Sequence, residues 1–424
     1  MLNSVKTLLH LCISSKGFLM NKLKKILTAI GPGFIIASIV LGPGSITVSS
    51  KIGATQAYSL LWVIVLAGLA MGTYVYMASR FGVTHEKTIL QTISDTYGRW
   101  FAVLIGISSF VMATSFQFGN NLGVATAMHS LTGVSESIWP LFFTGAAVFL
   151  IFFAKGLYKI LEKLMMVLVM TMIIAFLLNL IFTKPDLLQT AKGFIPSPPQ
   201  GGMEELAALV ATTFVLHVAI YQSYLSQEKG WKIADMKRGF RDTVASIIML
   251  GGITIMIIMT SAAALYPKGI VVSTAADMAI QLEALFGSYA KIIFSIGLWA
   301  AAFSSLTVNA VVGGGLLSDG LGLGRSMENI AARLFTILSM LIGMAIAVFF
   351  KGNIVHALVL AQASTLFAVP AVAIGLFLVL NNRRIMGAYV NTWKQNIIAV
   401  FGLVLILLMV YFKYHQLVVK IGQL

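Results

Sequence analysis

Long apolar stretches follow one another along the whole chain, separated only by short polar segments. About 20 apolar residues are enough for a helix to cross the hydrocarbon core of a bilayer. The predicted spans, eleven in all, are 28–53, 57–79, 101–128, 138–154, 160–182, 205–226, 244–265, 288–315, 330–350, 354–380 and 396–413. This pattern predicts an all-α polytopic membrane protein with about 11 transmembrane helices.

Composition agrees with this prediction and narrows the partners. Of the 424 residues, 58% are hydrophobic and 10% are charged, which lies far from the balance of a soluble domain. The net charge of +15 is scattered over short loops, so no basic face for nucleic acid is expected. The lipid bilayer, with its anionic headgroups, is the expected partner of these charges.

The positive charges also predict the orientation of the chain. Most of the 29 lysines and arginines fall in alternate loops on one side of the predicted membrane. Because positive residues accumulate in cytoplasmic loops, we expect the N-terminus in the cytoplasm and the C-terminus outside. The expected location is a bacterial inner (plasma) membrane.

The first residues form a predicted cytoplasmic leader over 1–27. Both Met1 and Met20 are candidate starts, and a signal peptide remains an alternative although no small-residue cleavage site follows. Cys12 is the one cysteine of the chain, so neither a disulfide framework nor a cysteine metal site is expected.

The stretch "IVLGPGSITV", residues 39–48, places Gly-Pro-Gly in the middle of the first span. Lipid cannot replace the backbone hydrogen bonds lost there, so such a break must face protein or a water-filled cavity. We therefore predict two half-helices interrupted near Gly42–Ser45. The alternative is a kink packed against neighbouring helices.

Transporters built as inverted repeats have broken helices at matching positions of their halves. If one repeat covers 28–182, a second covers 205–380, with an extra span and the C-terminus over 396–424. Span six contains "ATTFVLHVAIYQ", which places His217 at mid-membrane, where a histidine needs a partner or a cavity. A break is predicted over Thr212–His217; the alternative is a histidine bonded to a neighbouring carbonyl.

Other polar side chains fall at mid-membrane depth on spans three, eight and ten. They are Gln117, Asn120, Asn121, Ser304, Ser305, Thr307, Asn309 and Gln362. A hydrogen bond between helices is the alternative role for each amide. None of the 14 acidic residues lies at the centre of a predicted span. No nucleophile with a base and no metal constellation is evident, so neither an enzyme nor a cofactor is expected.

Seven segments occur in order along the chain: "IGPGFIIASIVLGPGSITVSSKIGATQAYSLLW", "SRFGVTHEKT", "GLYKILEKLMMVLV", "GFIPSPP", "GLWAAAFSS", "AQASTLFAVP" and "NNRRIMG". Together they resemble the Nramp (natural resistance-associated macrophage protein) family of divalent-metal transporters. The resemblance implies an amino-acid-transporter-like (LeuT-type) 5+5 inverted repeat with broken helices 1 and 6, an added eleventh helix, and a substrate site at the two breaks.

The residues that hold the metal in that family are mostly replaced. The family's metal-binding aspartate falls on Gly42 and its asparagine on Ser45. Its Met-Pro-His-Asn sequence falls on Val215–Val218, so the methionine is lost and the histidine is kept as His217. Gln362 is the one side chain expected to touch the ion that survives.

The family's proton route is also replaced, by groups that do not ionise. An acidic pair falls on Gln117 and Asn120, and a second histidine falls on Gln222. Amides cannot carry protons in the physiological range, so His217 is the one titratable group left on this route.

These replacements leave three hypotheses. The first is an Nramp-related transporter for a divalent cation such as hydrated Mg²⁺, without strong proton coupling. The ion would be held at most by Ser45, Gln362 and the carbonyls near Ile39 and Thr212. A metal centre of dehydrated Mn²⁺ or Fe²⁺ is not expected, since neutral donors replace only part of a carboxylate's attraction.

The second hypothesis is a permease for a small organic or anionic solute on the same scaffold. Half-helices beginning near Gly44 and His217 would point positive ends at the site with no carboxylate to balance them. The third is a sensor that keeps the fold without transport.

Overall fold

The computed structural model describes residues 42–153, 167, 174, 176–199 and 203–421, and the chain is helical through most of them. The α-helices are α1 (Pro43–Gln56), α2 (Leu61–Thr84), α3 (Ile89–Tyr97), α4 (Arg99–Thr132), α5 (Ile138–Phe153), α6 (Leu187–Gly193), α7 (Met203–Thr213), α8 (Leu216–Glu228), α9 (Met236–Ala264), α10 (Ala275–Ala279), α11 (Glu283–Phe286), α12 (Ala290–Gly320), α13 (Ile330–Phe349), α14 (Ile354–Ser364), α15 (Val369–Asn381), α16 (Arg383–Met386) and α17 (Trp393–Ile421). Residues 176–183 are also helical.

The described helices agree with the predicted spans. Seven are long and apolar enough to cross a membrane, and the bent pair Ile354–Phe367 and Val369–Asn381 makes an eighth. Span four appears as α5, while much of spans one and five, and the whole predicted leader, lie outside the described residues. About 11 transmembrane helices therefore remain consistent with the structure.

Two groups of packed helices place the broken segments at the centre. In the first group α1 packs on α9, α8 packs on α2, and α9 packs on α2. In the second group α12 packs along α4, and α13 contacts both of these and α5. Helix α1 contacts α4, α12 and α14 as well as α7. The described half of span one therefore contacts both groups of helices.

Local sequence signals set several helix boundaries. Thr88 and Gln91 form a reciprocal capping box that starts α3, in which the Thr88 hydroxyl accepts from the Gln91 backbone N–H at 3.0 Å. Helix α4 ends at Gly133, whose φ of 73° lies in the left-handed region that favours glycine. Gly133 thus ends the 34-residue helix α4, which carries the polar residues of span three.

Span ten was predicted over 354–380 without a break, and in the structure it is not one continuous helix. Helix α14 ends at Ser364, a 3₁₀ turn follows, and the span bends by 41° before α15. Pro370 explains the break because it sits in the first turn of α15, where its missing N–H costs no helical hydrogen bond. The bend lies directly after Gln362.

Hydrogen bonds close the end of the bundle that is predicted to face the cytoplasm. The Tyr224 hydroxyl donates to Asp319 Oδ2 at 2.5 Å, and Gln91 Nε2 donates to Asp319 Oδ1 at 3.4 Å. Arg325 donates to Gln227 Oε1 and lies over the Tyr224 ring at 4.7 Å. These contacts join span six, the end of span eight and the segment before span three.

The opposite end of the bundle carries paired charges. Lys51 Nζ of α1 lies 3.3 Å from Glu205 Oε1 of α7, and Lys413 Nζ of α17 lies 3.9 Å from Glu204 Oε1. The first pair joins the outer ends of spans one and six, so these half-helices are held side by side.

Candidate functional site

Helix α1 begins inside the protein at the predicted break of span one. Gly42 is its N-cap in an extended conformation, Pro43 is its first residue, and no side chain caps the helix. The first helical hydrogen bond runs from Ile46 N to Gly42 O at 3.2 Å. The N–H groups of the first turn therefore lack helical partners and present the positive end of the helix to the break. The half-helix predicted before Gly42 lies outside the described residues.

Span six is interrupted between α7 and α8, as predicted. Phe214 and Val215 are the non-helical residues, so the break is shorter than the predicted Thr212–His217 segment. The last backbone carbonyls of α7 and the first backbone N–H groups of α8 have no hydrogen-bond partner within their own helices. Since α1 packs against α7, the second half of span one and the first half of span six lie against each other.

Gly42 lies between spans three and eight. A Cβ added to it would be 2.9 Å from Ser305 Oγ and 3.2 Å from Asn120 Oδ1. Gly42 therefore allows close approach of the broken backbone to two buried polar side chains. The break thus faces polar protein groups rather than lipid.

The amide of Gln362 fills the space beside Gly44. A Cβ on Gly44 would lie 1.9 Å from Gln362 Nε2, so a glycine is needed for this approach. Gln362 is buried, and its Oε1 has no hydrogen-bond partner among the described residues. Span ten thereby places an amide oxygen acceptor next to the first turn of α1.

Replacing Gly44 by alanine is expected to displace the Gln362 amide and lower the free energy of unfolding. Overpacking of this kind costs about 1–3 kcal/mol, which thermal denaturation of the solubilised protein would measure. Adding Gln362→Ala should recover much of the lost stability because it removes the clashing amide. Gly145→Ala is the matched control, since a Cβ there meets no atom of the described residues within 4 Å. Equal losses from both single variants, or no recovery in the double variant, would contradict this packing.

His217 is fully buried in the first turn of α8 and bonds to span eight. Its Nε2 lies 3.3 Å from Asn309 Oδ1, and Asn309 Nδ2 donates to Ser305 Oγ at 2.8 Å. The imidazole also lies 5.8 Å from the Phe116 ring. Its Nδ1 has no partner among the described residues. The histidine is thus bonded to a neighbouring carbonyl, that of the Asn309 side-chain amide, as in the alternative that the sequence left open.

Span three contributes two buried amides to the same region. Gln117 Nε2 donates to Leu306 O at 2.8 Å, which leaves Gln117 Oε1 as an acceptor without a partner in the described part of the chain. Asn120 Nδ2 likewise has none there. Asn121 instead faces α5, where Thr144 donates to it at 3.0 Å. Asn120 therefore lies at the break, with its Oδ1 beside Gly42, whereas Gln117 bonds to the backbone of span eight and Asn121 ties two helices together.

Some predicted site residues have no described contact with the other residues of the site. Thr212 turns its hydroxyl to Leu209 O at 2.9 Å within its own helix. Val215 is a buried apolar residue at the break, and Ser45 is buried in the first turn of α1. Gln222 lies on α8 beside Asp242 of α9, with Nε2 and Oδ2 3.4 Å apart.

Ser305 and Asn309 were noted in the sequence as polar residues but were not assigned to the site. Their contacts with Gly42 and His217 place them there. Their spacing of four residues is the signal that could have found them, because it puts both on one face of a helix. Pairing that face with His217 required the fold.

The site is electrically neutral in its side chains as far as they are described. Among the described residues, no three histidine, cysteine, aspartate or glutamate side chains lie close enough together to hold a metal ion. The buried polar atoms without partners among the described residues of spans three, six and ten include the donor Asn120 Nδ2 and the acceptors Gln117 Oε1, His217 Nδ1, Gln222 Oε1 and Gln362 Oε1. Because a buried acceptor without a partner is costly, this arrangement can receive a hydrogen-bond donor or a cation.

Comparison with known proteins shows the family and the fold. The sequence model of the family described as natural resistance-associated macrophage protein-like matches residues 33–414. The divalent metal cation transporter MntH of Yersinia pestis (strain Pestoides F) is 26% identical over 385 residues, which cover 89% of this chain and 92% of the relative. The protein of the same name from Deinococcus radiodurans is 25% identical over 383 residues, covering 87% and 85%.

Solved structures support the same architecture. The manganese transporter of Eremococcus coleocola superposes with a TM-score of 0.77 at 19% identity, over 91% of this chain and 86% of that one. Mhp1, a nucleobase-cation-symport-1 family transporter, gives 0.56 at 15% identity over 91% and 92%. The predicted all-α fold with broken helices is thereby confirmed. Because the family match extends over most of its length, the chain belongs to the natural resistance-associated macrophage protein-like (Nramp) family of integral membrane proteins.

Proposed function

We propose that this protein transports a divalent cation that keeps part of its hydration shell, and that transport is not strongly coupled to protons. The relatives are named as divalent metal cation transporters, and the Eremococcus structure as a manganese transporter. Their names support a cation as the substrate class. The replaced residues at the breaks favour a different ion or a different form of it.

The observation that carries the proposal is a set of buried acceptors on spans three, six and ten. Gln117 Oε1, His217 Nδ1 and Gln362 Oε1 have no partners among the described residues. Water molecules bound to a cation are strong hydrogen-bond donors, and Mg²⁺ in particular gives up its waters reluctantly. Neutral acceptors at some distance from the ion suit such a hydrated cation better than a dehydrated one.

Helix dipoles support a second candidate, a permease for a small anionic or organic solute. The positive ends of α1 and α8 both lie at the breaks. Each can stabilise an anion by up to about 2 kcal/mol. At the span-six break, however, the negative end of α7 meets the positive end of α8 and offsets it. We favour the cation because the relatives are named as cation transporters and the acceptors of His217 and Gln362 lack partners among the described residues.

Ser45, Gln362 and the carbonyls at the end of α7 near Thr212 are proposed to contact the hydrated ion. Gly42 and Val215 would shape the space around it without supplying ligands. The loops closed by Tyr224 and Asp319 are proposed to face the cytoplasm of a bacterium with an inner membrane.

Calorimetric titration of the purified protein with a panel of ligands tests the proposal. The panel contains Mg²⁺, Ca²⁺, Mn²⁺ and small mono- and dicarboxylic acids. We expect Mg²⁺ to bind more tightly than Mn²⁺, and the acids not to bind. Binding of an acid without binding of any divalent ion would favour the permease instead, and Gln362→Ala is the variant expected to weaken cation binding.

A further inference from the structure

Span eight contacts His217 through Asn309, a residue to which the resemblance assigned no role. His217 Nε2 lies 3.3 Å from Asn309 Oδ1, and the other end of that amide, Nδ2, lies 2.8 Å from Ser305 Oγ. All three side chains are buried. The chain of contacts therefore links the histidine of span six to the serine beside Gly42 of span one.

We propose that Asn309 is a positioning residue that keeps His217 protonated on Nε2, so that the Nδ1 lone pair meets the transported cation or one of its water molecules. An amide oxygen can only accept, so the contact with Asn309 Oδ1 requires a hydrogen on His217 Nε2. In a neutral imidazole the other nitrogen, Nδ1, is then an acceptor. This inference rests on the proposed function.

The burial of His217 Nδ1 indicates that this nitrogen has a ligand partner. Nδ1 of His217 has no partner among the described residues, although a buried acceptor left unsatisfied costs about 1–3 kcal/mol. The transported solute is the partner that would remove this cost. In this arrangement Ser305 receives the Asn309 amide hydrogen, and the oxygen of the amide faces the imidazole.

The orientation also selects among ligands. An Nδ1 lone pair attracts a cation or the hydrogen of a bound water, whereas an Nδ1–H group would attract an anion. Asn309 would therefore decide the sign of the ligand that this side of the site accepts. The neighbouring amide acceptor of Gln117, which is held by Leu306 O, acts in the same direction.

Solid-state nitrogen NMR of ¹⁵N-histidine-labelled protein in lipid bilayers tests the proposal without relying on transport. The chain has six histidines, and subtraction of a His217→Gln spectrum assigns the signals of His217. We expect an Nε2-protonated, Nδ1-unprotonated imidazole whose Nδ1 signal shifts when Mg²⁺ is added. Finding the hydrogen on Nδ1 would show that the amide is turned the other way and would overturn the proposal.

Two variants complete the test. Asn309→Ala should give a mixture of both imidazole forms and weaken Mg²⁺ binding about tenfold. Asn179→Ala is the matched control, a buried amide bonded instead to Gln281 O at 3.1 Å. A wild-type His217 spectrum in Asn309→Ala would overturn the positioning role. An Nε2-protonated His217 in a protein that binds no cation would instead overturn the proposed function alone.

Discussion

Introducing a carboxylate and a thioether at the breaks, by Gly42→Asp together with Val215→Met, is expected to create Mn²⁺ binding. A divalent ion 4 Å from a carboxylate gains roughly 8 kcal/mol at an effective dielectric of 20. The methionine adds a soft ligand that suits transition metals better than Mg²⁺. We expect the affinity for Mn²⁺ in calorimetric titrations to rise at least about 100-fold over wild type, equivalent to about 2.8 kcal/mol.

The structure can accept a Cβ at position 42 with a small adjustment. Gly42 has φ −103° and ψ −178°, an extended backbone that any residue adopts. The added Cβ would lie 2.9 Å from Ser305 Oγ, so that hydroxyl must move by a few tenths of an ångström. Asn121→Asp with Val215→Met is the control, because Asn121 faces Thr144 rather than the break. Micromolar Mn²⁺ binding by the wild type, or an equal gain in the control, would show that the site has been misjudged.

An inward proton gradient is expected to change the rate of cation uptake by less than about twofold. Three groups on the family's proton route are replaced by the amides Gln117, Asn120 and Gln222, which do not ionise in the physiological range, so His217 alone is left to titrate there. Uptake into proteoliposomes with and without a pH step of about two units, at fixed membrane potential, measures the effect. We expect no acidification of the vesicle interior that depends on the cation.

Asp242 provides the sharpest control for proton coupling. Its Oδ2 accepts a hydrogen bond from Gln222 Nε2 at 3.4 Å. Asp242 is thus an ionisable group in direct contact with a position of the family's proton route. Uptake by Asp242→Asn should show the same weak response to pH as the wild type. A cation-dependent proton current that disappears in Asp242→Asn would mean that Asp242 has replaced the lost groups.

The hydrophobic pattern was sufficient to predict the spans, because each needs about 20 apolar residues whatever it packs against. Gly-Pro-Gly at Gly42–Gly44 was also sufficient to predict a break, since lipid cannot satisfy the freed backbone. The break in span ten was missed although Pro370 stands in the sequence. A proline in an apolar segment is compatible with a mild kink or an interruption, and only packing decides between them.

The residues of the site were harder to predict than the breaks. Gly42, His217 and Gln362 could be singled out because each is unusual at mid-membrane depth. Asn309 and Ser305 could not be assigned, because their role depends on which face of span eight meets span six. Thr212 was predicted as a site residue, but its hydroxyl donates to Leu209 O in its own helix. Such local bonds compete with ligand contacts and leave no trace in the spacing of residues.

Mg²⁺ entry into proteoliposomes under an imposed inside-negative potential tests the central claim most directly. A cation that moves alone through a neutral site carries two charges, so 100 mV contributes about 4.6 kcal/mol to its uptake. An entrapped Mg²⁺ indicator would report entry, while a second dye reports internal pH. We predict Mg²⁺ entry that accelerates with the potential and leaves the internal pH unchanged. No Mg²⁺ entry at any potential, in vesicles that instead accumulate a small carboxylic acid, would contradict the account.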